Sequence, residues 1–254
     1  MKTIYLKGSK ASNTAIKIMT HHLEELGHKI VRSADNPFEV GLSWGRSYNG
    51  PKPFLNKHVN MYDKFTCFSE FERAEVLCPT TFPIHINNDS YNFNNCPLPW
   101  LARKSHHTKG KDILVCKTQG EVRNVINHDR EHTFFSVFIP TDTEYRVWVL
   151  GNKAFATYEK VYKGKGEYEG FMRNRRFGFK FIKRDELIGT HLIEGPCIKA
   201  VAALGMDWGA VDILKGKDGK YYVLEINSMP HIDSIQRSSG VRLAKHVSIW
   251  AEKQ

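Results

Sequence analysis

Two carboxylates on one predicted β-hairpin are the side chains best placed to do chemistry. In the segment VDILKGKDGKYYVLEIN, the pair Asp218-Gly219 predicts a two-residue hairpin turn, because both residues tolerate positive φ. A turn centred there places Asp212 directly opposite Glu225, and Asn227 points to the same face as Glu225. Two like charges opposite each other destabilise a strand pair. Mg²⁺ would offset this repulsion because it prefers carboxylate and amide oxygens, so the hairpin predicts a metal site.

Two other interpretations of this hairpin stay open at the level of sequence. Its polar face would need no metal if it were simply solvated, with Lys215 and Lys220 screening the acids. A three-residue loop would instead shift the register by one residue and move Asp212 and Glu225 out of opposition. The metal hypothesis therefore depends on the turn and on what surrounds the two strands.

The elements that must position the hairpin follow an α+β pattern. At the N-terminus a strand, a helix and a second strand follow one another, which indicates a parallel α/β unit. The predicted strands are 3–6, 29–31, 100–104, 112–115, 134–139, 144–150, 154–160, 208–214 and 221–226. The predicted helices lie near 13–26, 63–77, 196–204 and 241–252.

Composition excludes several classes of protein. The chain has 254 residues, of which 41% are hydrophobic and 25% charged, as in a globular protein of one or two domains. No apolar run reaches the ~18 residues that span a bilayer, and the N-terminal segment MKTIYLKGSKAS is too charged for a secretory signal. Five widely spaced cysteines without a C-x-x-C pair indicate reduced thiols. We therefore expect a cytoplasmic protein with no membrane partner.

The charge balance predicts an anionic partner. The formal net charge is +10, which suits nucleic acid, an acidic peptide or the phosphates of a nucleotide. Residues 173–184 contain six basic residues between phenylalanines, a pattern that also occurs in proteins that bind single-stranded nucleic acid. Alternating phenylalanines are explained more simply as the buried face of a strand, so nucleic acid is the less favoured partner.

The hairpin and its continuation resemble the metal-binding end of the ATP-grasp superfamily, and most closely the RimK-like peptide ligases. The residues that carry this resemblance are Asp212, Glu225 and the sequence LEINSMP that follows in the second strand. In that family the acid of a VDIL strand and the E-x-N of the next strand hold the magnesium ions of MgATP. The resemblance therefore implies a metal site made of Asp212, Glu225 and Asn227, with Mn²⁺ as the alternative metal.

The resemblance extends over about residues 55–251 in collinear order. Lys64 resembles a nucleotide-binding lysine that precedes a helix. Arg103 stands where the family usually has a lysine that contacts phosphate, and Lys104 follows it, so either residue would serve. Gly110 belongs to the segment that resembles the phosphate-covering loop. The resemblance implies that these residues bind the nucleotide.

Two further segments resemble the adenine hinge and the phosphoryl-transfer residues of the family. Ser136, Val137 and Phe138 resemble the hinge strand whose backbone reads the adenine edge, although Val137 replaces the usual acid. Arg146 resembles the arginine of an acid-x-Arg motif that faces phosphate or the acyl intermediate. Asn174 and Arg176 resemble the first two fixed positions of an N-x-H-x-G turn, with Arg176 in place of the histidine. The resemblance implies catalytic roles for Arg146, Asn174 and Arg176.

The resemblance implies an ATP-grasp fold with a short α/β N-terminal domain, residues 1–54. Residues 55–254 would then form two α+β subdomains, about 55–133 and 134–254, that clasp MgATP. The implied activity is that of an ATP-dependent carboxylate–amine ligase, which forms an acyl phosphate and releases ADP and phosphate. An amino acid or peptide, with acidic character as one option, is the implied substrate, and homo-oligomers are common among such ligases. The alternatives are a phosphotransferase on the same fold and a basic nucleic-acid-binding protein without catalysis.

Overall fold

The structure is a computed structural model of the whole chain. It describes residues 1–8, 13–59, 63–84, 97–105, 112–168, 170–232 and 235–254. Within these ranges the strands form three sheets, of four, four and five strands. None of the described helices combines the length and the apolar character needed to cross a bilayer.

The first sheet is parallel and contains the N-terminal strands in the order β2-β1-β3-β4. Helix α1 connects the first two strands, so the strand–helix–strand unit predicted for the N-terminus is confirmed. Gly27 ends this unit's helical turn with φ 85°, a left-handed conformation that glycine adopts without steric cost. The elements are β1 (Thr3–Gly8), α1 (Asn13–Glu25), β2 (Lys29–Val31), β3 (Val40–Trp44) and β4 (Phe54–Leu55).

The second sheet is antiparallel, in the order β5-β8-β6-β7, with helix α3 packed on it. Helix α2 precedes this sheet in the chain. Thr118 and Glu121 form a capping box that starts α3, which buries Val122 and Val125 against the sheet. The elements are α2 (Lys64–Arg73), β5 (Thr81–Pro83), β6 (Trp100–Arg103), β7 (Leu114–Cys116), α3 (Gln119–His128) and β8 (Phe134–Val137).

The third sheet is antiparallel, in the order β11-β10-β9-β12-β13, and carries helices on both faces. Helix α4 covers one face together with α2, while α1 and α5 cover part of the other. The first and third sheets therefore share one hydrophobic core, which includes Trp44, Trp148 and Trp208. The elements are β9 (Thr141–Leu150), β10 (Lys153–Tyr162), β11 (Phe179–Lys183), α4 (His191–Ala203), β12 (Trp208–Gly216), β13 (Tyr221–Asn227) and α5 (Arg237–Glu252).

The β12–β13 hairpin confirms the predicted pairing of Asp212 with Glu225, but through a different turn. A three-residue loop, 217–219, joins the strands, so the predicted two-residue turn is wrong. The pairs next to this loop are displaced by one residue from the predicted register. Leu224 then forms a β-bulge on β13, as the extra residue between the partners of Asp212 and Ile213. The bulge cancels the displacement and restores the opposition of the two acids.

Asn56 connects the segment after β4 to the start of β12 through hydrogen bonds. Its side chain is fully buried and accepts hydrogen bonds from the backbone N–H groups of Asp207 (2.8 Å) and Trp208 (3.0 Å). It also donates to the Trp208 carbonyl oxygen (2.9 Å), and its own N–H donates to the Asp207 carboxylate (2.6 Å). The backbone of Asn56 is left-handed, with φ 52°, which asparagine tolerates better than most residues. One side chain thus satisfies three backbone groups where the chain enters β12.

We expect Asn56→Ala to lower the free energy of unfolding by about 3 kcal/mol, because it leaves buried backbone groups unsatisfied. Alanine also fits the left-handed backbone poorly. Thermal and urea unfolding would measure the change. Asn127→Ala is the control, because Asn127 is exposed on α3 and its removal should cost little. Equal stability of the two variants would contradict the role of Asn56.

Candidate active site

Six charged side chains meet on the third sheet next to the N-terminus of α2. Strand β9 supplies an acid and a base, β10 a lysine, and β12 and β13 one acid each. The sixth residue is Lys64, the first residue of helix α2. Asp63 caps this helix by accepting from the N–H of Thr66 (3.0 Å), which fixes where the helix begins. We call this set the charged cluster: Lys64, Glu144, Arg146, Lys160, Asp212 and Glu225.

Asp212 is the buried centre of the charged cluster and is 3% exposed. Arg146 forms a bidentate pair with it, at 2.7 Å from Nε to Oδ1 and 2.8 Å from Nη2 to Oδ2. Lys160 Nζ lies 2.9 Å from Asp212 Oδ2 and also donates to the carboxylate of Glu144. Burial would raise the pKa of Asp212, but Arg146 and Lys160 hold it well below its usual range. Protein cations, rather than Lys215 and Lys220, therefore offset the predicted repulsion.

Glu225 forms the accessible end of the charged cluster. Its side chain is 38% exposed, against 4% for that of Asp212. Lys64 Nζ lies 2.5 Å from Glu225 Oε2, and Asn227 Nδ2 donates to Oε1 at 3.3 Å. Desolvation raises the pKa of Glu225, but the ammonium group of Lys64 more than offsets it, so the pKa is lowered. The carboxylate is therefore ionised and reachable from solvent.

The side chains of Arg103 and Lys104 point to different parts of the structure. The guanidinium of Arg103 turns inward, where its Nε donates to Ser136 Oγ (2.8 Å). Burial lowers the pKa of Arg103 to about 10, partly opposed by the negative charge of Glu225. Lys104 instead pairs with Glu131, whose side chain is 73% exposed. Of the two predicted phosphate contacts, Arg103 is the one that faces the charged cluster.

The predicted hinge residues use their N–H groups within the fold. Val137 N–H donates to the Thr80 carbonyl (2.9 Å), and Phe138 N–H donates to the Pro99 carbonyl (3.0 Å). The side chain of Ser136 is buried and accepts from Arg103. A backbone N–H has only one hydrogen, so these two groups cannot also donate to a ligand. Backbone contacts from Val137 and Phe138 to adenine would therefore have to use their carbonyl oxygens. The adenine assignment stays a prediction, and Gly110 lies outside the described residues.

A basic cavity of about 390 Å³ opens beside Arg146 and Lys160. Its wall carries cationic side chains and two aromatic rings, Phe179 and Phe181, but no carboxylate among the residues that the structure describes. The rings also support the cations, since Arg146 lies 4.9 Å from the Phe181 ring centroid and Arg173 lies 5.6 Å from that of Phe179. We call this the basic cavity, with the cations Arg146, Lys160, Arg173, Arg175 and Lys180.

The structure places Asn174 at the basic cavity but not Arg176. Asn174 Oδ1 accepts from the N–H of Arg176 (3.0 Å) and so caps the 3₁₀ turn Arg175–Phe177. The guanidinium of Arg176 packs 5.7 Å from the ring centroid of the half-buried Phe177, outside the described wall of the cavity. Arg175, the preceding residue, lies in that wall instead. The alignment of Arg176 with the family's histidine therefore does not bring its side chain to the charged cluster.

Lys160 is the residue of the charged cluster that sequence reasoning missed. Nothing in the motif pattern marks it, because it lies within a strand, between Glu159 and Val161, and belongs to none of the motifs. A strand-pairing signal exists, however. The β9–β10 register pairs Tyr158 with Arg146 and Glu159 with Tyr145, so the next pair brings Lys160 beside Glu144. Pairing the charges of adjacent predicted strands would have found it.

We expect Phe181→Leu to lower the free energy of unfolding by about 1–2 kcal/mol, because leucine keeps apolar volume but removes the ring beneath Arg146 and Lys160. Phe177→Leu is the matched control, since that ring lies beside the Tyr168 ring and the exposed Arg176, touches no cation of the charged cluster, and should contribute about 0.5 kcal/mol. Chemical unfolding of both variants would measure the difference. A smaller loss for Phe181→Leu than for Phe177→Leu would contradict the supporting role of the ring.

The oxygen donors of the charged cluster fit a hard divalent cation. Glu225 presents a carboxylate at the accessible end, and the adjacent Asn227, whose amide nitrogen bonds to that carboxylate, carries an amide oxygen; carboxylate and amide oxygens are ligands that Mg²⁺ accepts. Asp212 lies directly across the hairpin, but both of its oxygens already bond to Arg146 and Lys160. Glu225 and Asn227 are therefore the primary candidates for metal ligands, and Asp212 would join them only if a cation gave way.

Comparisons with known proteins place the chain in a family. The family model described as the RimK-like ATP-grasp domain matches residues 61–250. A probable alpha-L-glutamate ligase of Histophilus somni is 30% identical over 112 residues, which cover 44% of this chain and 35% of that protein. A ribosomal protein bS6–L-glutamate ligase of Salmonella paratyphi B is 25% identical over 198 residues, 75% of this chain and 63% of that protein. This chain thus spans from about a third to under two thirds of the length of these relatives.

Solved structures of ATP-grasp proteins share the fold. The ATP-grasp ligase PsnB in complex with a minimal precursor superposes with a TM-score of 0.69 at 13% identity, covering 99% of this chain and 100% of that chain. A RimK domain ATP-grasp protein of Sphaerobacter thermophilus superposes with a TM-score of 0.63 at 13% identity, covering 98% and 99%. These similarities confirm the predicted α+β ATP-grasp fold. The family model matches most of the chain, and the protein belongs to the RimK-like ATP-grasp family.

Proposed function

We propose that this protein is an ATP-dependent ligase that joins a carboxylate to an amine and releases ADP and phosphate. The observation that carries the proposal is the position of the charged cluster. Its accessible acid, Glu225, lies beside the amide of Asn227 and close to two cations, Lys64 of the cluster and the neighbouring Arg103. It also borders directly on the basic cavity. Membership of the RimK-like ATP-grasp family supports the same reaction class.

Lys64 and Arg103 would bind the phosphates of ATP. Both lie beside Glu225, and their positive charge suits the oxygens of a triphosphate. Mg²⁺ held by Glu225 and Asn227, and by Asp212 if one of its cations moved away, would supply further positive charge to the phosphate oxygens, with Mn²⁺ as the alternative metal. One neighbouring structure, PsnB with precursor, Mg and ADP, contains both a nucleotide and this metal.

The proposed reaction requires the protein to position ATP, the carboxylate and the amine, and it requires no protein nucleophile. A carboxylate oxygen is a poor leaving group, so the γ-phosphoryl group is first transferred to it, giving an acyl phosphate and ADP. The amine then attacks the acyl carbon, the C–N bond forms, and phosphate leaves with the C–O bond electrons. Arg146 lies between Asp212 and the basic cavity, where it would neutralise charge that develops on the transferred group. Lys160 holds Asp212 and Glu144 in place.

The basic cavity supports an anionic substrate, either an acidic amino acid or an acidic peptide. Its cations face a volume without carboxylates in the described wall, so a ligand with several carboxylates would be attracted. The names of the relatives are consistent with this class, because they are glutamate ligases, one of them acting on a ribosomal protein. Neighbouring structures contain precursor, leader or core peptides. A ligase that uses ATP also fits the expected cytoplasmic location, and the homo-oligomer stays a prediction.

The proposed function is tested by measuring ADP formation with glutamate and a short acidic peptide as probes, alone and together. ADP release that needs both partners, with a new amide seen by mass spectrometry, is the expected result. ADP release with one carboxylate and no amine would indicate a phosphotransferase. Failure of a non-hydrolysable ATP analogue to bind in calorimetry, with or without Mg²⁺, would overturn the nucleotide site. Salt-dependent nucleic-acid binding that survives Glu225→Gln would then be the leading function.

We expect Arg175→Gln to raise the KM for the acidic substrate about tenfold, because one charged contact typically contributes about 1.4 kcal/mol. The affinity for the ATP analogue should not change, since Arg175 lies on the cavity side of the charged cluster. Lys165→Gln is the control, because Lys165 is exposed and lies outside the described cavity wall. Equal KM values for the two variants would contradict the assignment of the cavity to an anionic substrate.

A further inference from the structure

A short turn between α3 and β8 holds both ends of the connection from β6 to β7. We call residues 129–133 the clamp turn. Its last three residues each contact that connection. At the end that leaves β6, Glu131 pairs with Lys104, and the Thr133 hydroxyl lies 2.7 Å from that of Ser105. At the end that enters β7, His132 Nε2 lies 2.8 Å from the carbonyl oxygen of Asp112. Thr133 N–H also donates to the carbonyl oxygen of Arg103 (2.8 Å). The chain thus leaves and re-enters the second sheet against the same five residues.

The clamp turn is organised by Asp129. Its Oδ1 accepts from the N–H groups of Glu131 (2.8 Å) and His132 (3.0 Å), and its Oδ2 lies 2.7 Å from His132 Nδ1. Both ring nitrogens of His132 therefore face oxygen acceptors, the carboxylate of Asp129 and the carbonyl of Asp112. The ring is 5% exposed, so water replaces neither contact easily. His132 is thus a buried bridge between the turn and the returning end of the connection.

The departing end of the connection lies at the nucleotide cations. The carbonyl oxygen of Ser105 accepts from the backbone N–H of Lys64 (3.3 Å), the residue whose ammonium group reaches Glu225. Arg103 ends β6 and is held through its carbonyl oxygen by Thr133. The returning end leads into β7, an edge strand that pairs only with β6 within the described sheet. Loss of the Asp112 contact would loosen β7 and with it the end of β6 that carries Arg103.

We propose that the clamp turn positions Arg103 and Lys64 for the nucleotide phosphates, and that His132 is a positioning residue in this role. The proposal rests on the proposed function, because it assumes that these two cations bind the nucleotide. His132 touches neither the nucleotide cations nor the charged cluster, and it acts through Asp112 and the β6–β7 pair. Its effect should therefore fall on nucleotide affinity and on the order of β7.

Two variants of His132 separate this role from general stability. The amide nitrogen of glutamine reaches the position of Nε2, so His132→Gln keeps a donor for the Asp112 carbonyl. The amide nitrogen of asparagine reaches the position of Nδ1, so His132→Asn keeps a donor for Asp129 but loses Asp112. Each variant keeps one of the two contacts of the ring and loses the other, and their melting temperatures should be similar. Only the asparagine variant loses the contact that the proposal uses.

The two readouts are hydrogen exchange and calorimetry on the full chain. We expect backbone exchange of Leu114–Cys116 to rise in His132→Asn and to stay near the natural rate in His132→Gln. We expect the Kd for a non-hydrolysable ATP analogue with Mg²⁺ to rise about tenfold in His132→Asn and less than threefold in His132→Gln. If His132→Asn does not fold, Thr133→Val and Thr133→Ser form a second pair, in which only valine lacks the hydroxyl that contacts Ser105.

Each outcome decides the proposal. Parallel behaviour of the asparagine and glutamine variants in both readouts, or equal affinity of all variants, would overturn the positioning role while leaving the nucleotide site intact. Absence of nucleotide binding by the natural protein would overturn the proposed function and this role together. A rise in exchange of Leu114–Cys116 in His132→Asn without a change in affinity would reduce the clamp turn to a structural element and so also overturn the proposal.

Discussion

Glu225→Gln is expected to lower kcat/KM for ATP by about 10²–10³-fold, the effect of removing one electrostatic contact to a reacting group. Glu225 is the most accessible acid of the charged cluster, and glutamine keeps its size while removing the charge that would hold Mg²⁺. Its ion pair with Lys64 is partly exposed, so the free energy of unfolding should change by no more than about 1 kcal/mol. Steady-state ADP formation and thermal unfolding would measure the two effects.

Glu252→Gln is the control for this prediction, because Glu252 is exposed at the end of α5. It should leave both activity and stability near those of the natural protein. Calorimetric titration of the ATP analogue into Glu225→Gln, with and without Mg²⁺, should show that the metal no longer strengthens binding. Full activity of Glu225→Gln would contradict the metal site, whatever its stability.

Asp212→Asn is expected to lower the free energy of unfolding by about 3 kcal/mol, because it removes the charge that pairs two buried cations. Arg146 and Lys160 have side chains that are only 13% and 11% exposed, so water cannot take over the role of the carboxylate. For a chain of this size, such a loss corresponds to a fall in melting temperature of about 6–12 °C. Activity should fall as well, but here the loss of stability is the distinguishing result.

The control for Asp212→Asn lies on the same hairpin. Asp218 is exposed in the loop, where its carboxylate bonds to the Tyr222 hydroxyl (2.7 Å) and the N–H of Lys220 (3.1 Å). Asp218→Asn keeps an acceptor oxygen in water and should cost less than about 1 kcal/mol. Equal losses for the two variants would mean that the charged cluster contributes no more to stability than the loop does.

The pH dependence of stability gives a second readout for Asp212. The folded protein holds the pKa of this carboxyl below its usual value of about 3.9, so the unfolded chain binds its proton first as the pH falls. The stability that this shift contributes is complete above about pH 5 and is lost progressively at more acidic pH. Between pH 6 and pH 3, the free energy of unfolding should therefore fall more steeply with decreasing pH for the natural protein than for Asp212→Asn.

The fold class, the family and the acids of the candidate site follow from the sequence alone. The strand–helix–strand pattern at the N-terminus and the collinear motifs from Lys64 to Asn227 needed no structure, because local periodicity and short motifs carry that information. The sequence also predicts the opposition of Asp212 and Glu225, although the predicted two-residue turn is wrong. A three-residue loop and a bulge at Leu224 compensate each other, and a bulge depends on sheet packing rather than on turn residues.

Which cations meet those acids depends on how the sheets and helices pack. Lys160 and Arg146 approach Asp212 from two other strands, and Lys64 approaches Glu225 from a helix more than 150 residues earlier in the chain. The direction of a side chain in an irregular turn is likewise invisible in the sequence, which is why Arg175 rather than Arg176 lies in the wall of the basic cavity. Charge pairing across a sheet depends on strand order and register, and both are set by long-range packing. The sequence therefore determines the residue types of the site, and the packed sheets determine their partners.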